Sequence, residues 1–388
     1  MLNFVCLSPY FPNNFSLFWT RLNEAGVKVL GIGEQPYDQL SEELKKSLSE
    51  YYWIEDMHHF SSLEQACQHF IDKHGPIHRL ESHNEYWLET EAKLRSKFNI
   101  PGPKDQGISQ IKSKSDMKQT YKDAGIPVAQ GQKVYHWDDS QNLIKKTGYP
   151  IVAKPDIGVG AAHTYKIHNE EELRHFWKSK PNVDYFMEEF VKGELYSFDG
   201  LVDDTGKLLI HVSHHFKQGI METVNQDLDL SYYSLKNIPN DLYEAGKKVL
   251  KAFGITSRFF HFEFFRLPDQ RLVALEVNVR PPGGLTTDMI NFANDIDLYK
   301  GYAQMITGQK FTEHTHHPFY SAYAGRKHNK TYLYSHDELL IKLGSAVVFH
   351  DQMSEVFHPV IGHYGYLIKA TNLDELHQHI AWVHALKN

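Results

Sequence analysis

The stretch from Phe259 to Gly284, FFHFEFFRLPDQRLVALEVNVRPPGG, constrains the fold of this chain more than any other. Two runs of β-branched and aromatic residues, 259–266 and 272–280, flank Pro268-Asp269-Gln270, whose residue types favour a turn. A hairpin turn centred between Asp269 and Gln270 sets Glu263 opposite Glu276 and His261 opposite Asn278. Side chains alternate between faces along a strand. His261, Glu263, Glu276, Asn278 and Arg280 therefore share one face, while Phe262, Phe264, Leu275 and Val277 share the other, which is core.

Two carboxylates facing each other across a strand pair repel, at a cost of a few tenths to about 1 kcal/mol in the open and more when buried. A cation belongs between them. Two carboxylates and an amide carbonyl are hard oxygen donors that suit Mg²⁺ or Mn²⁺, and Mg²⁺ held by few side chains completes its shell with water and substrate phosphate. The segment thus points to a metal-nucleotide site. The competing reading leaves both glutamates solvated on an exposed sheet face, with Asn278 as a turn residue.

At 388 residues the chain is long enough for two or three domains, and a 41% hydrophobic content with 13% aromatics supplies their cores. A net charge of −7 with no long block of like charge argues against a nucleic-acid surface, so the expected partners are small molecules. Cys6 and Cys67 are the only cysteines, which fits a reducing cytoplasm rather than a disulfide framework. No apolar run approaches the length of a membrane span, and the start MLNFVCLSPY lacks signal-peptide character, so a cytoplasmic protein is expected. The paired histidines His58-His59, His214-His215 and His316-His317 show no zinc-ligand spacing with cysteines.

Leu2 to Leu7 reads as a buried strand, 14–25 as a helix stopped by Gly26, and 27–33 as a second strand. Gly31-x-Gly33 lacks the third glycine of a dinucleotide motif and is read as a turn. Helices over 37–48, 61–74 and 84–97, with short strands at 51–54 and 77–80, complete a first α/β unit that closes at Ile100-Pro101-Gly102-Pro103. A Lys-rich helix at 110–124 follows, then a strand ending in Lys154 and the small-residue loop Gly158 to Ala162. A strand-end lysine before such a loop sets a cation and free backbone N–H groups against phosphate oxygens, though the spacing is not that of a P-loop. In DYFMEEFVKGELYSFDGLV, 184–202, the acid-rich piece between two apolar strands offers the peptide groups of Glu189 and Val191 to an adenine edge and the Glu194 carboxylate to ribose, or else forms a hairpin with exposed acids. Helices are expected at 241–253 and about 286–305, and the last ~75 residues read as a β-rich cap ending in a helix at 373–386.

In this order, KSKSDMKQTYKDAGIPV, YPIVAKPDIGVGAA, FMEEFVKGEL and FHFEFF followed by LEVNVRPPGG resemble the ATP-grasp superfamily over about residues 1–310. The resemblance implies a mixed α/β and α+β architecture: a Rossmann-like pre-grasp domain at 1–105, an ATP-grasp domain at 106–310 and a β-rich extension at 311–388. Within the grasp domain it implies a lid lobe at about 125–190 and a metal-binding lobe at about 191–310. It also implies that Lys114 and Lys154 contact nucleotide phosphates, Lys114 being preferred to Lys118 for its spacing to Gly125. Gly158 and Gly160 would close over the phosphates, with Glu188, Glu189, Val191 and Glu194 on the adenosine and Glu263, Glu276 and Asn278 on Mg²⁺ or Mn²⁺.

Within the superfamily the sequence looks most like the amino-acid ligases and the carbamoyl-phosphate synthetase large-subunit group. That likeness implies activation of a carboxylate by ATP as an acyl phosphate and its capture by an amine; a phosphotransferase or a non-catalytic ATP-binding protein is the alternative. Arg280 and Lys154 would stabilise the transferring phosphate, and Arg280, Gly283, Gly284 and Asp288 would meet substrate. Thr286 and Thr287 either grip substrate or cap the helix; His261 bonds Asn278 or an acceptor group; Arg326 and Lys327 are read as a solvated basic turn. Small-molecule carboxylates and amines are the expected partners, with a homodimer compatible with the family.

Overall fold

The computed structural model describes residues 1–158, 163–217 and 219–387. Its strands sort into three sheets according to how they are joined. The first four, β1 (Asn3–Leu7), β2 (Lys28–Gly33), β3 (Glu50–Trp53) and β4 (Arg79–Glu81), are separated by helical crossovers and pair in parallel in the order β3-β2-β1-β4. Every residue of β1 is buried, as expected of a strand covered on both faces. Gly31 and Gly33 lie inside β2 and not in a turn: a Cβ on Gly31 would stand 2.9 Å from the Tyr51 ring and one on Gly33 2.6 Å from Tyr10. Their glycines are required by packed tyrosines, which sequence spacing could not reveal.

A small antiparallel sheet follows, formed by β5 (Gly131–Val134), β6 (Ile151–Pro155), β7 (Tyr165–Ile167) and β8 (Tyr185–Glu189) in the order β5-β8-β6-β7. Helices Trp137–Thr147 and Glu170–Ser179 flank it in sequence, and Leu143, Leu173 and Phe176 join the core between them and the sheet. The largest sheet is antiparallel and contains β9 (Glu194–Val202), β10 (Leu208–Phe216), β11 (Ser231–Ser234), β12 (Arg258–Arg266), β13 (Leu272–Asn278), β14 (Tyr320–Arg326), β15 (Val347–Gln352) and β16 (Tyr364–Ala370). Its order is β13-β12-β9-β10-β11-β14-β16-β15.

One consequence decides between the two readings of residues 184–202, and a second corrects an expectation. The strands on either side of residues 190–193 belong to different sheets, so FMEEFVKGEL is the linker between two lobes and not a hairpin. The C-terminal strands β14, β16 and β15 extend the central sheet from the edge of β11, so the last segment continues that sheet instead of capping it from outside.

Two long expected helices are each broken. The Lys-rich segment forms Asp105–Lys112 and Lys114–Asp123, because Ser113 leaves helical geometry to accept the Asp116 N–H at 3.3 Å as an N-cap. The segment after Gly284 forms Thr286–Asn294 and Leu298–Thr307, interrupted where Asp295 takes φ 52° and Asp297 caps the second helix. The expected helix over 37–48 is a 3-10 turn at Tyr37–Gln39 followed by Glu42–Ser47.

The central hairpin pairs in the expected register, with His261 opposite Asn278, Phe262 opposite Val277 and Glu263 opposite Glu276. Beyond that point a bulge slips one residue, so that Phe264 faces Ala274. Ala274 takes the core position beside Phe262, Phe264 and Val277, and Leu275, expected there, lines the cavity instead. Phe260, Phe262 and Phe264 are fully buried, each contributing roughly 1.5–3 kcal/mol of apolar transfer energy. This core anchors the strands whose opposite face carries the acids. The N-terminal unit is tied to the same hairpin by charge: Arg258 on β12 lies 3.5 Å from Glu81 and 3.6 Å from Glu91, and Glu91 also pairs with Arg95 at 2.5 Å, all buried.

Candidate nucleotide and metal site

A cavity of about 860 Å³ opens between the small sheet and the central sheet. Its floor is the polar face of the hairpin, which contributes His261, Glu263, Glu276 and Asn278, with Arg280 just beyond β13. β6 brings Lys154, β8 brings Glu188 and Glu189, and the linker brings Phe190 to Gly193.

Glu188 is buried, and Lys154 Nζ lies 2.5 Å from one of its oxygens while Lys118 Nζ lies 3.0 Å from the other. Burial alone would raise this carboxyl, but the two ammonium groups hold it down at about 2. Burial likewise opposes the Lys154 cation, and Glu188 outweighs it, leaving the lysine pKa raised. Lys118 also faces the Ala274 carbonyl at 3.4 Å. Lys114, one turn earlier on the same helix face, is buried and makes no ion pair among the described residues. Burial lowers its pKa, with Lys154 and Lys112 adding to the effect and Glu276 and Glu85 opposing it. A buried ammonium without its own carboxylate, on a cavity wall, is suited to an anion.

The break at Ser113 explains how that helix start is docked. Lys114 N–H donates to the Asp156 carbonyl at 2.8 Å, and the Asp156 carboxylate accepts from Ser113 Oγ and Ser115 N–H, both at 2.8 Å, and pairs with Lys133 at 2.9 Å. Asp156 thus binds the end of the Lys154 strand to the Lys114 helix.

Across the floor, burial raises the Glu276 pKa, Lys114 opposes this, and the neighbouring Glu85 and Glu263 carboxylates reinforce it. Glu263, Glu276 and Asn278 offer the hard oxygens that Mg²⁺ or Mn²⁺ prefers, with a lysine wall opposite for phosphates, so the donor set fits the expected metal.

The linker residues divide. Glu189 lines the cavity; its N–H donates to the Gln130 carbonyl at 2.9 Å and its carboxylate accepts the Gln130 N–H at 2.8 Å, which leaves its carbonyl as the peptide group to meet an adenine edge. Val191 lines the cavity, and its N–H has no protein acceptor among the described residues. Glu194 also lines it, accepting from Tyr196 Oη at 3.3 Å and standing 3.2 Å from His215 Nε2. Gly160 lies outside the described residues, and Gly158 is not among the residues lining the cavity.

Arg280 lies on the cavity wall with Nη2 3.4 Å from Glu85 and Nη1 donating to the Pro281 carbonyl. Gly283, Gly284 and Asp288 lie outside the lining. Both Asp288 oxygens are engaged, by Asn14 Nδ2 and Tyr299 Oη, each at 2.8 Å. Thr286 Oγ1 donates to the Gly283 carbonyl and Thr287 Oγ1 meets Tyr299 Oη, so neither caps the helix or is left for substrate. His261 bonds Asp199 and not Asn278, at 2.5 Å. Arg326 and Lys327 are buried, not solvated: Arg326 donates to the Val383 and Tyr334 carbonyls and Lys327 pairs with Asp227.

Sequence reasoning missed Glu85 and Asp199, and set aside Lys118, which the structure places on the cavity wall. Glu85 comes from the loop after β4, in a stretch without motif spacing, and only the packing of the N-terminal unit brings it to the cavity. Asp199 was readable as an alternating polar residue on an apolar strand, a signal that needs the pairing of β9 with β12 to acquire meaning.

Comparison with known proteins bears on the fold. Residues 147–288 match the model of an ATP-grasp domain. An L-arginine-specific L-amino acid ligase of Bacillus subtilis is 27% identical over 259 residues, 64% of this chain and 62% of that protein. An uncharacterised protein of Sinorhizobium fredii is 24% identical over 62% of this chain and 51% of its own length. The chain thus spans less than two thirds of the length of either curated relative. Among solved structures, an L-amino acid ligase from Bacillus licheniformis superposes with TM-score 0.75 at 13% identity, covering 98% of this chain and 96% of that one. N5-carboxyaminoimidazole synthetase from Staphylococcus aureus gives 0.73 at 15% identity, covering 99% and 97%. The chain has the ATP-grasp fold and carries an ATP-grasp domain. Among the described residues no helix is long and apolar enough to cross a membrane.

Proposed function

We propose that this chain is an ATP-dependent carboxylate–amine ligase acting on amino acids, releasing ADP and phosphate. The observation that carries the reading is the convergence, on one cavity, of Glu263, Glu276 and Asn278 with Lys114 and Lys154. Acids on the floor and cations on the wall are what a metal-bound triphosphate needs, and no protein nucleophile is required. The amino-acid ligase relative supports the choice of reaction within the ATP-grasp fold.

In this reading a substrate carboxylate oxygen takes the terminal phosphoryl group of ATP, ADP leaves, and an amine then displaces phosphate to form the amide. Mg²⁺, when bound, would offset the negative charge that accumulates in transfer. Glu263, Glu276 and Asn278 would hold it. Lys154 and Lys114 bind the phosphates, Lys154 kept charged and oriented by Glu188. Val191 N–H meets the adenine edge and Glu194 the ribose. Arg280, beside Glu85, steadies the acceptor carboxylate at the far end of the cavity.

The test is ADP and phosphate release from Mg-ATP with pooled amino acids, arginine included, and small carboxylic acids, followed by mass spectrometry. Amine-dependent release with a product lighter by one water than its substrates is the expected result. Release of ADP with phosphate retained on a carboxylate product, and no dependence on an amine, would replace the ligase with a phosphotransferase.

A further inference from the structure

The polar face that carries Glu263 continues inward beyond β12. On β9, Asp199 is the direct partner of His261 and Ser197 that of Glu263; on β10, His214 pairs with Ser197. Alternation in phase across the three strands sets Asp199, Ser197, His214, His261 and Glu263 on one face. Asp199 is fully buried. Its Oδ1 lies 2.5 Å from His261 Nδ1, and its Oδ2 lies 2.6 Å from His214 Nδ1 and 2.5 Å from Ser197 Oγ. With both oxygens anchored on different strands, the carboxylate has one orientation.

An ionised carboxylate only accepts, so the network assigns a hydrogen to His261 Nδ1. The other ring nitrogen, Nε2, stands 3.5 Å from Glu263 Oε1. The His261 ring thus stands between the anchored Asp199 carboxylate and the Glu263 carboxylate. Glu263 needs such a hold. Its cross-strand partner is Glu276, and two like charges in that register push each other out of the geometry in which both can face one cation.

We propose that Asp199 is a positioning residue for the metal site: by fixing the His261 ring from behind, it holds the Glu263 carboxylate toward Glu276 and Asn278. The inference rests on the metal-nucleotide reading of the cavity. It assigns a task to a buried charge that touches neither nucleotide nor metal: partners that orient a metal ligand change metal affinity about 10–100-fold when mutated, and His261 stands in that place with Asp199 behind it.

The experiment is Mn²⁺ binding to the full chain in the presence of ADP, read from the electron paramagnetic resonance signal of free Mn²⁺, with circular dichroism and thermal unfolding on every variant. Asp199→Asn, nearly isosteric, is expected to weaken Mn²⁺ about tenfold or more while remaining folded. His261→Asn retains a donor toward Asp199 but is too short to reach Glu263, and is expected to weaken Mn²⁺ equally. His261→Gln reaches toward Glu263 and is expected to recover part of the affinity, a rescue that a merely structural role would not produce. Unchanged affinity in folded Asp199→Asn overturns the inference, as does His261→Gln binding no better than His261→Asn. The two histidine variants decide the matter if Asp199→Asn does not fold. Absence of Mn²⁺ binding by the unaltered chain with ADP would instead overturn the metal-site reading, and the inference with it.

Discussion

Lys154 Nζ lies 2.5 Å from Glu188 Oε1, and the same carboxylate holds Lys118 at 3.0 Å. A single buried acid thus positions two lysines on the cavity wall. The pairing follows from strand register: Glu188 on β8 sits opposite Val152 on β6, two residues before Lys154. Since residues two apart share a face, the lysine and the acid are neighbours without any turn or loop intervening.

Replacing Glu188 by glutamine tests this ion cluster through acid stability. Its folded pKa, about 2, lies below the ordinary carboxylate value, so its contribution is fully present above about pH 4.5 and is lost as pH falls toward 2. Urea denaturation should find Glu188→Gln less stable by about 3 kcal/mol near neutrality, with the gap to the unaltered chain closing as the medium is acidified. A gap independent of pH would show that the cluster does not set acid stability.

Glu276 behaves in the opposite sense. Its pKa is raised by burial and by Glu85 and Glu263, so the ionised form is held at a cost at neutral pH. Glu276→Gln should therefore raise the metal-free melting temperature, by about 2 °C or more for roughly 1 kcal/mol, while Mg-dependent ADP formation falls at least about 100-fold. Glu276→Ala and Asn278→Ala should lose turnover with the fold retained. Scanning calorimetry and an ADP assay on the same preparations separate the two effects.

Val191 offers a backbone N–H with no protein acceptor among the described residues. Val191→Pro removes that donor and should raise KM for ATP about tenfold, the worth of one hydrogen bond of about 1.4 kcal/mol, with a smaller change in kcat. Val191→Ala keeps the N–H and should leave KM within about twofold. Equal KM values for the two variants would place the adenine elsewhere.

Gly193 closes the linker between the lobes. A Cβ there would stand 2.6 Å from the Arg266 carbonyl oxygen, a backbone atom that cannot rotate away. Gly193→Ala should cost about 1–3 kcal/mol of stability and weaken nucleotide binding, because the strand pair β9–β12 must shift beneath the cavity. Isothermal titration with a non-hydrolysable ATP analogue measures the second effect directly.

The hairpin was legible because its information is local. Alternation placed Glu263, Glu276 and Asn278 on one face, and the Pro268-Asp269-Gln270 turn set the register that puts Glu263 opposite Glu276. Leu275 was misplaced because the bulge goes with what β13 meets in space, the Pro127 carbonyl that accepts the Ala274 N–H and the helix Lys114–Asp123, and not with its own residues. Asp288 looked available for substrate for the same reason: its partner Asn14 is 274 residues away in sequence. The C-terminal strands carried a β pattern but no statement of which sheet edge they join.

Period, turn chemistry and the order of charged motifs are properties of neighbouring residues, and they alone determined the strand faces, the acids of the floor and Lys154 at a strand end. Which of those groups are free was decided only by tertiary structure. Lys118 is tied to Glu188 while Lys114 has no carboxylate partner among the described residues, and Asp199 comes to stand behind His261, because long-range pairing selects among side chains that composition and spacing leave equivalent. Charge in a buried cavity takes its meaning from what lies within a few ångströms, and that distance is set by the fold.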